Sequence, residues 1–269
     1  MDSDVDGKTV LVVGGNGYLG SYFCERLVAS GSRVVSWDLA PDPLVEPEMM
    51  EKKFHYMSVD VSCSESVSNA TDKLFMEVGS IHAVVYSVTA KPKDFYKPFT
   101  ECSIEGWNSV VNVELSGAFN VAKSIGRVFE DRGVGKFIFM SSIYGMVGND
   151  QRIYEGSNLD SVYASGSGEH KQLYSHGVYA AVKGGVISFA RFLAAYWGGI
   201  GITVNVISPG GVRNDNENQT FVSKYADRVP LKRKAEREEI FSCLTFLISD
   251  GSSYMTGHNL VVDGGWTAW

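Results

Sequence analysis

Short runs of apolar and β-branched residues recur along the chain at 9–13, 33–37, 55–59, 81–86, 136–140, 203–207 and 260–262, separated by longer mixed segments. Within those segments the apolar residues follow helical spacing, as in Val110, Val113, Phe119, Val121, Ile125 and Phe129, or in Val186, Phe189, Phe192, Leu193 and Tyr196. The alternation predicts βαβ units. A run such as Thr9-Val10-Leu11-Val12-Val13 is apolar on both faces, as a parallel sheet covered by helices on both sides requires. The pattern therefore predicts an α/β, doubly wound, three-layer sandwich of about seven parallel strands. Residues 1–269 read as one domain, without internal repeats or low-complexity tracts.

Two segments break the rhythm. Residues 42–53, rich in Pro, Glu and Met, read as a solvated connection. Residues 148–177 form a long polar stretch without clear periodicity. A structureless loop longer than about 15 residues is uncommon in a compact domain and is more often functional than idle. This insertion is expected to cross the mouth of the active site as a lid or specificity wall.

Composition narrows the partners. With 269 residues, 44% of them hydrophobic, the chain has ample material for a packed core, which excludes disordered and mini-protein classes. The net charge of −7 and the lack of any Lys/Arg block argue against nucleic acid and anionic membrane surfaces, leaving a small molecule as the expected partner. Cys24, Cys63, Cys102 and Cys243 form no C-x-x-C pair, and the five histidines show no metal-binding spacing, so neither a disulfide frame nor a metal site is expected. The apolar stretch 185–207 is interrupted by Arg191, Gly198, Gly199 and Gly201. It therefore predicts a helix followed by a strand, not a membrane span. The acidic start, 1–7, lacks the basic and apolar pattern of a secretory signal, which points to the cytoplasm.

The first strand runs into Gly14-Gly15-Asn16-Gly17-Tyr18-Leu19-Gly20 and then a helix. In that setting Gly14 permits the tight turn, Gly17 lets a pyrophosphate approach the helix N-terminus, and Gly20 lets helix and strand pack closely. Asp38, at the end of the second strand, stands where an acidic side chain accepts hydrogen bonds from ribose hydroxyls, which favours NAD over NADP. The strand, glycine turn, helix and acidic residue together predict a dinucleotide-binding Rossmann fold. Tyr179-Ala180-Ala181-Val182-Lys183 sets a phenol and an ammonium one helical turn apart, a spacing that is common by chance. Here it is accompanied by Ser142, just after a strand, and Asn112, inside a long helix.

Over essentially its whole length the sequence resembles the short-chain dehydrogenase/reductase superfamily. The matches run in the family's order: the glycine loop from Gly14, Asp60-Val61 after the third strand, Asn112, Ser142, the Tyr179/Lys183 pair, Ser208-Pro209-Gly210 after the sixth strand, and Val262-Asp263-Gly264-Gly265 near the end. The resemblance implies that Tyr179 is the general acid/base, that Ser142 binds the substrate oxygen, and that Lys183 holds the nicotinamide ribose and lowers the tyrosine pKa. It implies that Asn112 completes a proton relay. It also implies cofactor contacts at Gly14, Asn16, Gly17, Tyr18, Leu19, Asp38, Asp60, Val61, Ser87, Tyr179, Lys183, Pro209, Gly210 and Val212.

The sequence departs from the family pattern in three places. The glycine spacing is that of the larger, extended branch, although the chain ends as compact members do. Tyr86-Ser87-Val88-Thr89 replaces the usual Asn-Asn-Ala-Gly, and 37 residues separate Ser142 from Tyr179. Local strings, including Ser141-Ser142-Ile143-Tyr144-Gly145, Arg228-Val229-Pro230-Leu231 and Asp263-Gly264-Gly265-Trp266-Thr267-Ala268-Trp269, are similar to oxidoreductases of bacterial flagellin-modification and legionaminic-type sugar gene sets. That resemblance implies a sugar or activated-sugar substrate. The expected activity is NAD-linked oxidoreduction of a secondary alcohol or ketone. The alternatives are a non-catalytic dinucleotide-binding sensor or partner subunit, and a sugar epimerase or dehydratase. His170, Lys171, His176 and Arg152 in the insertion are candidate ligands for an anionic group, with solvated loop charges as the alternative. The superfamily resemblance implies a homodimer or homotetramer paired through the helices of Asn112 and Tyr179, with Trp266 and Trp269 near another interface.

Overall fold

Among the described residues seven strands form one parallel sheet in the order β3-β2-β1-β4-β5-β6-β7. They are β1 (Thr9–Val13), β2 (Arg33–Asp38), β3 (Phe54–Ser58), β4 (Ala83–Tyr86), β5 (Gly135–Met140), β6 (Ile202–Pro209) and β7 (Asn259–Val262). The computed structural model describes residues 5–44, 53–163 and 172–269. Each strand lies within about two residues of its sequence-predicted range, because uninterrupted apolar runs such as β1, buried at all five positions, have no other place to go.

Helices cover both faces. On one side α1 (Tyr18–Ala29) and α8 (Arg237–Ile248) pack their Phe23, Leu27, Ile240 and Leu244 onto Val10, Val12 and Val85. On the other, α2 (Ser64–Val78), α4 (Gly117–Arg132) and α6 (Gly177–Trp197) pack Leu74, Ile125, Val186 and Leu193 onto Leu11, Val84 and Phe137. Helix α3 (Ile104–Val110) continues through one wide π-turn (Val111–Ser116) into α4. Short α5 (Leu159–Val162) lies in the 148–177 insertion, and α7 (Gln219–Asp227) precedes α8.

Among the described residues, α6 with the turn that follows it is the only helix long and apolar enough to cross a membrane. It lies against the sheet, with Val182, Val186, Ile187, Ala190 and Trp197 buried. Two of its aromatic residues depart from the periodic reading: Phe192 and Tyr196 are exposed and stack on each other. Trp266 also differs from expectation. It is 6% exposed and packs against Tyr225 and Tyr144, where the left-handed glycine pair at 264–265 turns the chain end back.

The strand order reverses between β1 and β4, so the loops after these strands diverge and leave a crevice at the carboxyl edge of the sheet. The site lies there.

Candidate active site

A cavity of about 590 Å³ runs along this edge, lined by residues that follow β1, β4, β5 and β6. Its dinucleotide end begins at the glycine turn. Gly14 has φ +86°, and a Cβ there would lie 2.7 Å from the Ser87 carbonyl oxygen, so the β1 and β4 loops touch only because no side chain intervenes. A Cβ on Gly20 would meet the Gly14 carbonyl at 2.0 Å, which lets α1 start directly behind the turn. Gly17, Tyr18 and Leu19, at the N-terminus of α1, line the cavity together with Ser87, Pro209, Gly210 and Val212. This packed glycine cradle at an open helix N-terminus fits the pyrophosphate of a dinucleotide.

The rim beyond it differs in detail from the sequence reading. Asp38 Oδ2 accepts a hydrogen bond from the Asn16 backbone at 2.9 Å. The Asn16 side chain donates to the Asp42 carbonyl and accepts from the Leu44 amide, so it ties down the segment after β2. Asp60 accepts from Ser62 in its own turn, and the Val61 carbonyl accepts from Asn120. Asn16, Asp38, Asp60 and Val61 therefore flank the turn rather than line the cavity.

At the inner end, β5 delivers Ser142 and α6 delivers Tyr179 and Lys183 into the same cavity. Ser142 Oγ accepts from the Tyr144 amide at 3.2 Å, which orients the hydroxyl and leaves its hydrogen free to donate. The two elements are stapled together: Ser141 Oγ donates to the Lys183 carbonyl at 2.8 Å, and a Cβ on Gly145 would strike the Lys183 backbone at 2.7 Å. Lys183 Nζ donates to the Met140 carbonyl at 3.2 Å and sits 5.5 Å from the centroid of the Tyr179 ring. The long separation of Ser142 and Tyr179 in sequence thus closes in space.

Asn112 does not join them. It is exposed, whereas Glu114 is buried and forms an ion pair with Lys183 at 2.9 Å. Residues two apart on a helix face opposite ways, so only one of the two can point inward. The other Glu114 oxygen accepts from the Ala90 amide at 3.1 Å. Burial pushes the Lys183 ammonium down, but the Glu114 carboxylate more than offsets this and leaves it above its ordinary value. A sequence signal for Glu114 existed: it stands four residues after Val110 and four before Ala118, on the buried stripe of the helix, where a carboxylate needs a partner.

The insertion also reaches the cavity. Tyr154, Leu159, Tyr163 and Ser175 line it together with Tyr96, Tyr144, Phe221 and Tyr225, so this part of the cavity is walled by aromatic rings. His176 is no anion ligand. It is 2% exposed, its Nδ1 caps α6 by accepting from the Val178 amide, and its ring stacks on Phe95. Arg152 points to solvent and chelates Asp150. His170 and Lys171 lie outside the described residues.

Residues 8–157 match the family profile described as short chain dehydrogenase, and residues 157–267 match one described as Enoyl-(Acyl carrier protein) reductase. D-threitol dehydrogenase of Mycolicibacterium smegmatis is 28% identical over 275 residues, covering 99% of this chain and 95% of that protein. Post-translational flagellin modification protein A of Campylobacter coli is 26% identical over 268 residues, covering 97% and 99%. The crystal structure of a short chain dehydrogenase from Leptospira borgpetersenii with bound NAD+ superposes with a TM-score of 0.85 at 29% identity, over 97% of this chain and 93% of that one.

Proposed function

The chain belongs to the short chain dehydrogenase family and is an oxidoreductase, and on that premise we propose that it moves a hydride between NAD(H) and a secondary alcohol or ketone of a sugar or activated sugar. The observation that carries this reading is one cavity with the glycine turn at one end and Ser142, Tyr179 and Lys183 at the other. The chemistry supplied by a bound nicotinamide dinucleotide is the hydride itself. Gly14, Gly17, Tyr18, Leu19 and Ser87 would hold its phosphate side, Asp38 its adenosine ribose, and Pro209, Gly210, Val212 and Lys183 its nicotinamide side.

The remaining work falls to the chain. Ser142 donates a hydrogen bond to the substrate oxygen. Tyr179 gives its phenolic proton to that oxygen when a ketone is reduced and takes it back when an alcohol is oxidised. A free phenol, with a pKa of about 10, is a weak base at neutral pH, and a nearby ammonium favours the phenolate. Lys183 supplies that charge, and Glu114, rather than Asn112, is the polar group directly behind it.

A sugar substrate is supported by the resemblance to sugar alcohol and flagellin-modification relatives and by the ring-lined wall of the cavity. NAD is supported by Asp38, which forms no ion pair with a basic side chain among the described residues. Assembly into a homodimer or homotetramer is supported by exposed apolar residues on α3, α4 and α6: Ile104, Phe119, Phe192 and Tyr196. A cytoplasmic location goes with the reading, since the free cysteines suit a reducing compartment. The test is the absorbance of reduced cofactor against a panel of sugar alcohols, sugar phosphates, nucleotide sugars and nonulosonates. Lack of turnover with the whole panel, for either cofactor and in either direction, overturns the reading.

A further inference from the structure

Among the described residues three ammonium groups line the cavity, and two of them are neutralised from within the protein. Lys183 pairs with Glu114, and Lys234 pairs with Glu217, all four side chains being 5% exposed or less. The third, Lys91, comes from the loop after β4 and lines the same cavity as Ser142 and Tyr179. Its Nζ lies 3.0 Å from the centroid of the Tyr163 ring, and it makes no ion pair or hydrogen bond with any of the described residues. Among the described residues, Lys91 is therefore the one cavity ammonium without a carboxylate partner.

An ammonium in that position is costly. Burial draws the Lys91 pKa down to about 8, with the Lys183 ammonium pushing the same way and the Glu114 and Glu217 carboxylates opposing. The Tyr163 ring face stabilises the cation but leaves its N–H donors unmatched on the cavity side. Packing alone has no use for a lysine there, since an apolar side chain would fill the same space without desolvating a charge.

We infer that the substrate carries an anionic substituent, a carboxylate or a phosphate monoester, which Lys91 binds against the Tyr163 ring while the aromatic wall receives the sugar carbons. The inference rests on the oxidoreductase reading for the identity of the cavity as a substrate site. The binding is a charge-assisted hydrogen bond to a partly desolvated ammonium, and its loss corresponds to about 10- to 100-fold in affinity.

The experiment compares matched probes on the NAD-loaded protein: D-gluconate against D-glucitol, and D-glucose 6-phosphate against D-glucose, by calorimetry and, where turnover occurs, by KM and kcat. The wild type should bind the anionic member of a pair about 10- to 100-fold more tightly, and the pair that shows the larger gap distinguishes carboxylate from phosphate. Lys91→Met keeps the stem over Tyr163 and should abolish the gap through KM with little change in kcat, while Lys91→Arg should retain it. The gap should also fade as pH rises above about 8, where Lys91, facing Glu114, Lys183, Glu217 and Tyr163, loses its proton. A wild type without anion preference, or a methionine variant that keeps it, overturns the inference. So does a variant whose only defect is weaker NAD binding in the absence of substrate, which would assign Lys91 to the cofactor phosphates. A Lys91-dependent preference for anions without nicotinamide-linked turnover of any of these probes would leave the anion site standing but overturn the proposed sugar substrate, and with it the assignment of that anion to the substrate.

Discussion

Glu114 Oε2 lies 2.9 Å from Lys183 Nζ, with side chains 1% and 4% exposed. This pair links the helix after β4 to the helix that carries Tyr179, so it fixes the Lys183 ammonium 5.5 Å from the centroid of the Tyr179 ring.

Removing one partner of a buried pair leaves the other stranded, so Glu114→Ala should lose about 3–5 kcal/mol of stability, and Glu114→Gln, which keeps an acceptor, should lose less. The pair raises Lys183 above its ordinary 10.5 in the folded state. Its contribution is therefore complete below about 10.5 and lost as pH rises through the folded value. In Glu114→Gln only Tyr179 still opposes the effect of burial on Lys183, so the alkaline limb of kcat/KM against pH should move to lower pH. Denaturant titration and a pH profile check both. A profile unchanged from wild type would remove Glu114 from the site.

Tyr179→Phe removes only the transferable proton. Turnover should fall by about 100- to 10,000-fold, the range of general acid/base contributions, with cofactor affinity nearly unchanged. Steady-state rates together with fluorescence titration of the reduced cofactor decide this, and near wild-type turnover would exclude Tyr179 as the acid/base.

Asp38 accepts hydrogen bonds from the amides of Asn16 and Ala40, which orients its carboxylate at the rim of the glycine turn. Arg33 stands at the opposite end of the same strand and donates to the Val78 carbonyl, so it does not offset that charge. If Asp38 holds the adenosine ribose as proposed, a 2′-phosphate would meet its carboxylate, a conflict of like charges worth several kcal/mol at close range. Titration of wild type with both cofactors should favour NAD, and Asp38→Ala should narrow the preference. Equal binding by the wild type would contradict the assignment.

Phe192 and Tyr196 stack at 6.1 Å between ring centroids while 62% and 66% exposed, an apolar surface that needs a cover. Light scattering at micromolar concentration should give a dimer or tetramer for the wild type and a monomer for the doubly substituted Phe192→Asp, Tyr196→Asp variant. A wild-type monomer would refute the assembly.

The linear pattern determined the frame. Runs apolar on both faces, such as β1 and β4, have no stable place except inside a parallel sheet, and their order along the chain with helices between them sets a doubly wound topology. Gly14, Ser142 and Tyr179 were legible for a related reason: each sits just after a strand or at the start of a helix, at the carboxyl edge of the sheet, and Lys183 follows Tyr179 one helical turn on. Facing and charge were decided only by the tertiary structure. Which of Asn112 and Glu114 turns inward depends on the phase of a helix that passes through a π-turn, and on Lys183, 69 residues beyond Glu114, arriving to meet the carboxylate. His176 stacks on Phe95, Trp266 packs against Tyr225, and Lys91 lies over the Tyr163 ring with no ion pair among the described residues, all through neighbours distant in sequence. Burial and pairing are properties of the assembled neighbourhood, and a charge costs or stabilises according to what the fold brings beside it.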